Sequence, residues 1–361
     1  MKRINGILTS LTALLLLAGC TADGTDPAPQ QSATKLLLQG TILTGSDSPV
    51  TRVAGTEAIQ DNHLESGNKV GAFIYRHGTD AKETTGEKYG YTNYPFDTWQ
   101  ANYLFNPNQP LFPVQGSEKR VDIYAYAPYV DESTDASYGT LNTAHTFTVK
   151  TDQTRRADFV ASDLLWGKRN DPSNADADLQ PVQIMSPITS SNQIVPIKFS
   201  HLLSQVYVEI IAGTSTGVTK AKLEGAEVSL NGVNLDGKIN FKTGAVATGT
   251  TTGSVNMFKC GYKYDVTNNL VLETNATEYD KLFNGAAIVY PIASLPTTVT
   301  LKITTSVTTY TVQLKTTTIT SWAAGKKYRY QVTVNASGLS LATTVSDWVA
   351  GTATPTSGTA E

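Results

Sequence analysis

Tyr328-Arg329-Tyr330-Gln331-Val332-Thr333-Val334 alternates large apolar and polar side chains without a break. Successive side chains of an extended strand point to opposite faces, so a period of two marks a strand with one face buried. Weaker copies of the pattern recur in Val121, Ile123 and Tyr124 to Tyr126, in Val206, Val208 and Ile210, and in Leu301, Ile303 and Val307. Asn231-Gly232, Asp236-Gly237 and Thr243-Gly244 stand between such runs and read as the turns of a meander. No stretch keeps a 3.6-residue apolar period for more than two or three turns. Short strands separated by Gly- and Thr-rich turns predict an all-β chain built from sandwiches rather than an α/β fold.

Composition narrows the function. The chain has 361 residues, with 28 Lys+Arg against 31 Asp+Glu and a formal net charge of −3. Its basic residues are scattered singly among Thr, Ser and Gly, so no stripe exists to neutralise phosphates, and nucleic acid is excluded as a partner. Charged residues make up 16%, below the roughly 25% of an average soluble domain, which suits an extracytoplasmic β-protein with a hydroxyl-rich surface. At about 100–200 residues per domain the length allows two domains. The segment from Arg169 to Gln193, with its Asp and Pro, is the best boundary between a Tyr-rich first half and a Thr-rich second half.

The N-terminus reads as a bacterial lipoprotein signal: Lys2 and Arg3, an apolar stretch from Ile7 to Leu17, then Leu17-Ala18-Gly19-Cys20. The apolar stretch is too short to span about 30 Å of hydrocarbon as a permanent helix. Small residues let a peptidase reach the backbone, and the Cys20 thiol can carry a diacylglycerol. Several acyl chains make such an anchor durable where one holds only marginally. With Cys20 lipidated, Cys260 is left alone and no internal disulfide forms. Residues 21 to 34, rich in Thr, Asp, Pro, Gln and Ser, read as a flexible spacer. Leu36, Leu37, Leu38, Ile42 and Leu43 then form an apolar run of strand length, closed by Gly45-Ser46-Asp47-Ser48-Pro49.

Catalytic and ligand motifs fail one by one. Gly213-Thr214-Ser215-Thr216-Gly217 matches the nucleophile elbow, but Val218-Thr219-Lys220 starts no helix to expose the serine. Gly232 to Lys238 matches the start of a phosphate loop, yet Ile239 stands where a Ser or Thr would hold magnesium. Asp171 to Asp178 lacks the glycine at position six and the bidentate Glu of a calcium loop. His63, His77, His145 and His201 are isolated, without metal-ligand spacing. His201, beside apolar strand residues, reads as a packed or strand-edge histidine. Trp99, Trp166, Trp322 and Trp348 lie far apart and read as core. The residues make no case for an enzyme, a metal or a cofactor.

Several segments, in order, carry a likeness to a known family: Asn68-Lys69-Val70-Gly71-Ala72-Phe73-Ile74-Tyr75, Val121-Asp122-Ile123-Tyr124-Ala125-Tyr126-Ala127-Pro128-Tyr129, Ser162-Asp163-Leu164-Leu165-Trp166-Gly167, Phe199-Ser200-His201-Leu202-Leu203-Ser204 and Ala324-Gly325-Lys326-Lys327-Tyr328-Arg329-Tyr330. Gly338-Leu339 to Asp347-Trp348 closes the series. Over residues 36 to 349 the chain resembles the fimbrillins, lipoprotein-derived subunits of Bacteroidetes surface fimbriae, the type V pili. The resemblance implies two transthyretin-like Greek-key β-sandwich domains in tandem. It divides the chain into a signal peptide (1–19), a tether and propeptide with the first strand (20–52), an N-terminal domain (53–185) and a C-terminal domain (186–361).

The resemblance also implies a mechanism. In similar proteins a lipidated precursor reaches the outer surface, an arginine-specific or trypsin-like protease cuts beyond the first strand, and loss of that strand opens a groove. A departed core strand leaves unpaired backbone groups and an apolar furrow, which an extended segment of another subunit refills. Carried onto this sequence, lipid sits on Cys20 and the cut falls between Arg52 and Val53. The displaced strand presents Leu36, Leu38 and Ile42 with Gly40 between them, and the candidate donor presents Leu339, Leu341 and Val345. Arg52 also reads as an exposed loop arginine, and Leu339 to Val345 as an ordinary last strand. Arg155-Arg156 is a rival cleavage site inside a segment that reads as core. The tail after Trp348, made of Gly, Thr, Ala, Pro and Ser, looks a poor donor, which suits a tip, anchor or accessory subunit rather than a stalk.

The expected function is therefore a structural subunit of a surface fimbria, supporting adhesion and biofilm formation. Its expected partners are other fimbrial subunits, the lipoprotein export machinery, the protease and a host or bacterial surface receptor. It needs no cofactor, and resides at the outer membrane as a lipoprotein and in the fimbrium after processing. The alternative is a monomeric surface lipoprotein that holds glycan or a host protein, with Tyr89, Tyr91, Tyr94 and Trp99 in a loop as the first place to look. A hydrolase on a sandwich scaffold lacks a nucleophile, base or metal set.

Overall fold

The computed structural model describes residues 34–35, 37–42, 64, 68–76, 91–98, 103–106, 111–112, 121–141, 143–168, 182–184, 194–213, 220–223, 225–259, 262–264, 270–272, 284–335 and 338–347. The first half carries β1 (Thr34–Lys35), β2 (Leu37–Ile42), β3 (Lys69–Arg76), β4 (Tyr91–Thr98), β5 (Tyr103–Phe105), β6 (Leu111–Phe112), β7 (Val121–Ala127), β8 (Ala144–Thr148), β9 (Leu165–Lys168), β10 (Val182–Ile184) and β11 (Ile194–His201). The second half carries β12 (Ser204–Ala212), β13 (Glu227–Asn234), β14 (Asp236–Asn240), β15 (Ala245–Thr248), β16 (Thr252–Asn256), β17 (Phe258–Lys259), β18 (Tyr262–Tyr264), β19 (Leu270–Leu272), β20 (Asn284–Val289), β21 (Thr300–Thr304), β22 (Thr309–Gln313), β23 (Lys326–Asn335) and β24 (Gly338–Asp347). Among the described residues, α-helix is confined to α1 (Arg156–Ala161) and α2 (Lys220–Leu223). The chain is all-β, as its alternation requires.

In the first half, eight strands pair in the order β10-β7-β3-β4-β5-β2-β11-β9, and β9 returns to pair with β7 through Tyr126↔Trp166 and Ala127↔Leu165. All of these strands but β10 therefore form a closed ring, which has no free edge. Period two sorts their side chains. Val70, Ala72 and Ile74 of β3 and Ile123, Ala125 and Ala127 of β7 join Leu38, Phe96, Leu104, Leu165, Ile197 and Phe199 in one core. Phe73, Tyr75, Tyr124 and Tyr126, at the intervening positions, belong to a second cluster.

In the second half, the five-stranded sheet β17-β20-β12-β23-β24 and the four-stranded sheet β16-β13-β21-β22 share one core, a sandwich arrangement. Val206, Val208 and Ile210 of β12 and Tyr328, Tyr330, Val332 and Val334 of β23 meet Leu230, Val255, Leu301 and Ile303 there. Trp322 lies in the same core and donates from Nε1 to the Tyr330 hydroxyl at 3.0 Å. The other face of the five-stranded sheet supplies Tyr207, Ala286, Ile288 and Phe258 to the aromatic cluster that holds Phe73, Tyr126 and Trp166. β12 is thus covered on both faces, which is why every residue from Ser204 to Ile210 is buried. β8, from the first half, pairs with β14 of the second through Asp236↔Thr148 to Asn240↔Ala144.

Three readings of the sequence change. Asn231-Gly232 is not a turn: β13 runs through it, with a bulge between Asn231 and Val233 where Gly232 takes φ +73°. Asp236-Gly237 opens β14 rather than a hairpin, and glycine is needed because a Cβ at Gly237 would stand 2.3 Å from the Tyr290 ring. Thr243-Gly244 does turn, between β14 and β15, whereas Val307 lies beyond β21 and is 67% exposed. Sheet membership changes at Leu202-Leu203: Ile194–Phe199 pairs with β2 before the chain enters β12.

Candidate functional site

β2 is a short strand held from both sides. Along β11 it makes a parallel pair of six register positions, Leu37↔Ile194 to Ile42↔Phe199. Toward β5 it pairs antiparallel only at Leu38↔Leu104 and Gln39↔Tyr103. The preceding β1 pairs with β6, Thr34↔Phe112 and Lys35↔Leu111. Leu38 is wholly buried in the ring's core, a burial worth about 1.5–3 kcal/mol for a leucine side chain. Gly40 lies opposite Ile197, and a Cβ built on it would stand 2.6 Å from Leu64 Cδ1 and 2.9 Å from Phe199 Cε2. Leu64 and Phe199 thus form a wall close against the backbone of β2. Removing β2 converts the closed ring into an open sheet with β5 and β11 as edges and the apolar wall uncovered.

Of the displaced-strand residues, Leu38 is in the core and Ile42 ends β2, while Leu36 lies outside the described residues, as do Cys20, Arg52 and Val53. Leu64 escaped the sequence reading, since Asn62-His63-Leu64-Glu65 gives a single leucine no period. The candidate donor is the edge strand of the second sandwich: β24 pairs with β23 over Lys326↔Asp347 to Asn335↔Gly338. Leu341 is buried in that sandwich's core, Leu339 packs partly against it, and Val345 is 37% exposed. The Thr343 hydroxyl is 3.0 Å from that of Thr318.

The rejected motifs sit in structural roles. Gly213 ends β12 with its amide donating to the Val334 carbonyl, while residues 214–219 lie outside the described residues. The run from Gly232 to Lys238 is strand, bulge and strand. His201 Nδ1 is 2.8 Å from Asp163 Oδ1, both buried. His145 is fully buried, stacked on Phe241 with centroids 4.5 Å apart, and neither ring nitrogen has a hydrogen-bond partner. Among the described residues no three His, Cys, Asp or Glu side chains converge as a metal group. Trp166 is core, its Nε1 donating to the Phe241 carbonyl at 2.8 Å; Trp99 and Trp348 lie outside the described residues. Arg155 is exposed at the start of α1, whose Phe159 and Val160 are core, so a cut there would break a packed helix. Tyr91 and Tyr94 are on β4, not a loop, in edge-to-face contact at 5.0 Å and packed partly against the ring's core; Tyr89 lies outside the described residues.

A closed ring that takes in its N-terminal strand, followed by a sandwich, defines an all-β, sandwich-built class of protein. The chain belongs to the fimbrillin-like family, whose match covers residues 51–348. That family comprises structural fimbrial subunits, not enzymes. The chain is 26% identical over 373 residues to the Bacteroides uniformis protein named "Putative fimbrium subunit Fim1C", covering 100% of both chains. Its fold is similar to that of a solved "putative cell adhesion protein" of Bacteroides uniformis, with a TM-score of 0.57 and 19% identity over 90% of this chain and 100% of the other. A second solved "putative cell adhesion protein", from Bacteroides ovatus, gives a TM-score of 0.58 and 16% identity over 89% of this chain and 100% of the other.

Proposed function

We propose that the chain is a structural subunit of a surface fimbria, exported as a lipoprotein on Cys20, cut between Arg52 and Val53, and polymerised when a strand of another subunit replaces β2. The observation that carries this reading is the place of β2: a strand N-terminal to Arg52 sits inside the ring, between β5 and β11. A cut after Arg52 would leave it held by its pairing and, among the described side chains, by the burial of Leu38, while Leu64 and every other ring strand stay with the remaining chain. The family match, which begins at residue 51, supports the same division. In this reading the partners are other fimbrial subunits, the export machinery, an arginine-specific or trypsin-like protease and a surface receptor. The subunit sits at the outer membrane before processing and in the fimbrium after it, where it serves adhesion and biofilm formation.

The test uses material sheared from the cell surface, resolved by gel with and without boiling, with the N-terminal residue of the monomer band determined. The expected result is a heat-sensitive ladder whose monomer begins at Val53. A single band that still begins at a lipidated Cys20 would sink the proposal.

A further inference from the structure

We propose that Tyr91 and Tyr94 form a carbohydrate-binding platform on the first half of the molecule, which takes the C–H face of an uncharged pyranose. The site lies on β4 and stands whether or not β2 is exchanged. It is made by a bulge. Tyr94 pairs with Ala72 and Tyr91 with Ile74, so three steps along β4 match two along β3. Residues three apart in a regular strand point to opposite faces, and the extra residue turns Tyr91 onto the face of Tyr94. Asn93 carries the strain, with φ +45°, the one positive φ of a non-glycine residue among the described residues. Its buried side chain is pinned at both ends: the Tyr126 hydroxyl donates to Oδ1 at 2.5 Å, and Nδ2 donates to the Val130 carbonyl at 2.9 Å. The fold thus maintains a strained residue whose effect is to bring two tyrosines together.

The two rings meet edge to face, with centroids 5.0 Å apart and planes at 69°, and Tyr94 makes a second edge-to-face contact, at 5.4 Å, with the buried ring of Phe96. Both tyrosines are half-buried and packed against the ring's core, so each is held in place while part of it stays at the surface. A surface held in this way loses little further freedom when it binds. Asn106 adds an amide: its Oδ1 accepts from the Tyr94 hydroxyl at 3.4 Å, and its Nδ2 donates to the Pro95 carbonyl at 2.6 Å. The charges at the far end of β4, Lys69 and Asp97, are 3.7 Å apart and offset each other. Aromatic rings, hydroxyls and an amide without net charge match a neutral sugar, apolar on its C–H face and rimmed by hydroxyls. The rival occupant is a peptide strand, because β5 meets β4 only at Asp97↔Phe105 and Thr98↔Leu104. The bulge at Asn93, and Pro95 with no N–H to give, make Tyr91–Phe96 a poor template for strand pairing.

The test applies the full-length chain to an array of uncharged oligosaccharides of glucose, galactose, mannose and their N-acetylated amino sugars, with calorimetric titration of those that bind. Binding to at least one of them is expected. Tyr91→Leu and Tyr94→Leu, which keep an apolar group against the core but remove the flat ring, should each weaken it about tenfold or more. Tyr94→Phe, which keeps the ring, should weaken it less. Tyr310→Ala, which removes a partly buried tyrosine of the second sandwich, should leave it unchanged. In the wild type, irradiation of the tyrosine ring protons should saturate the C–H protons of the bound sugar, a readout that depends on no variant. No binding across the array, binding confined to acidic sugars, or an affinity unchanged in both leucine variants overturns the proposal, and none of these outcomes bears on the replacement of β2.

Discussion

β2 and β24 are both alternating strands near an end of the chain, yet they are held in opposite ways. β24 lies along one neighbour, β23, through an unbroken antiparallel register at the edge of a five-stranded sheet. β2 is interior, with β11 on one side and β5 on the other, in a ring that closes on itself. An edge strand can gain a neighbour without disturbing what it already covers, because its outer backbone groups are free to pair. An interior strand cannot leave without opening the sheet on both sides and uncovering the core beneath it. The difference predicts different consequences of losing each strand: without β2 the ring opens, whereas without β24 the second sandwich loses one edge.

The largest expected effects come from the two buried leucines. Leu38→Ala and Leu341→Ala should each cost the precursor about 2–5 kcal/mol, the usual range for a leucine truncated in a packed core. They should then part company. After a cut at Arg52, Leu38→Ala should speed release of the N-terminal peptide, and Leu341→Ala should lower the stability of what remains without changing release. Urea unfolding of the precursor, with mass spectrometry of the released peptide, separates the two; identical release rates would break the comparison. Gly40→Val comes next, at about 1–3 kcal/mol for overpacking against Leu64 and Phe199, again measured by urea unfolding. Smaller still is Thr343→Val on β24. It keeps the shape and removes the hydroxyl contact with Thr318, at about 0.5–1.5 kcal/mol; a larger loss would mean that β24 is held less by its ladder than its register suggests.

The parts of this architecture that could be read in advance are those where one face is buried and the other is not. Tyr328 to Val334 announces β23 because its alternate residues enter one core and the others do not. β12 blurs the rule, since Tyr207 and Val208 are both wholly buried, in different clusters. Gly232 and Gly237 mislead because the bulge and the Tyr290 contact that demand glycine are made by chain far away in sequence. The strand-length run at 36–43 was legible, but its place between β5 and β11 was not, because parallel pairing with Ile194–Phe199 spans more than 150 residues and leaves no local trace. Leu64, half of the wall under Gly40, is one leucine among polar neighbours and shows its purpose only in contact.

The junction between the halves offers the smallest and most selective test. His145, on β8, is stacked on Phe241, with ring centroids 4.5 Å apart, and meets the tilted ring of Tyr138 at 4.9 Å. Burial pushes its pKa below the ordinary imidazole value of 6.5; Asp135 and the Thr140 backbone pull the other way, but neither satisfies a ring nitrogen. A histidine whose folded pKa is depressed is neutral in the folded chain while the unfolded chain takes up a proton, so stability is full above pH 6.5 and falls as pH drops below it. Asp131, Asp135 and Asp152 have pKa values lowered from 3.8, so their contributions are lost only in more acidic solution. Between about pH 4 and 6.5, therefore, wild type should lose stability with a slope that His145→Phe lacks. Urea midpoints across that range measure it. The slope should be the same whether or not the β2 segment is still attached, because His145 lies in the aromatic layer rather than in the ring's core; a slope that vanished with the cut would tie the junction to β2 and dissolve the independence of the two ends.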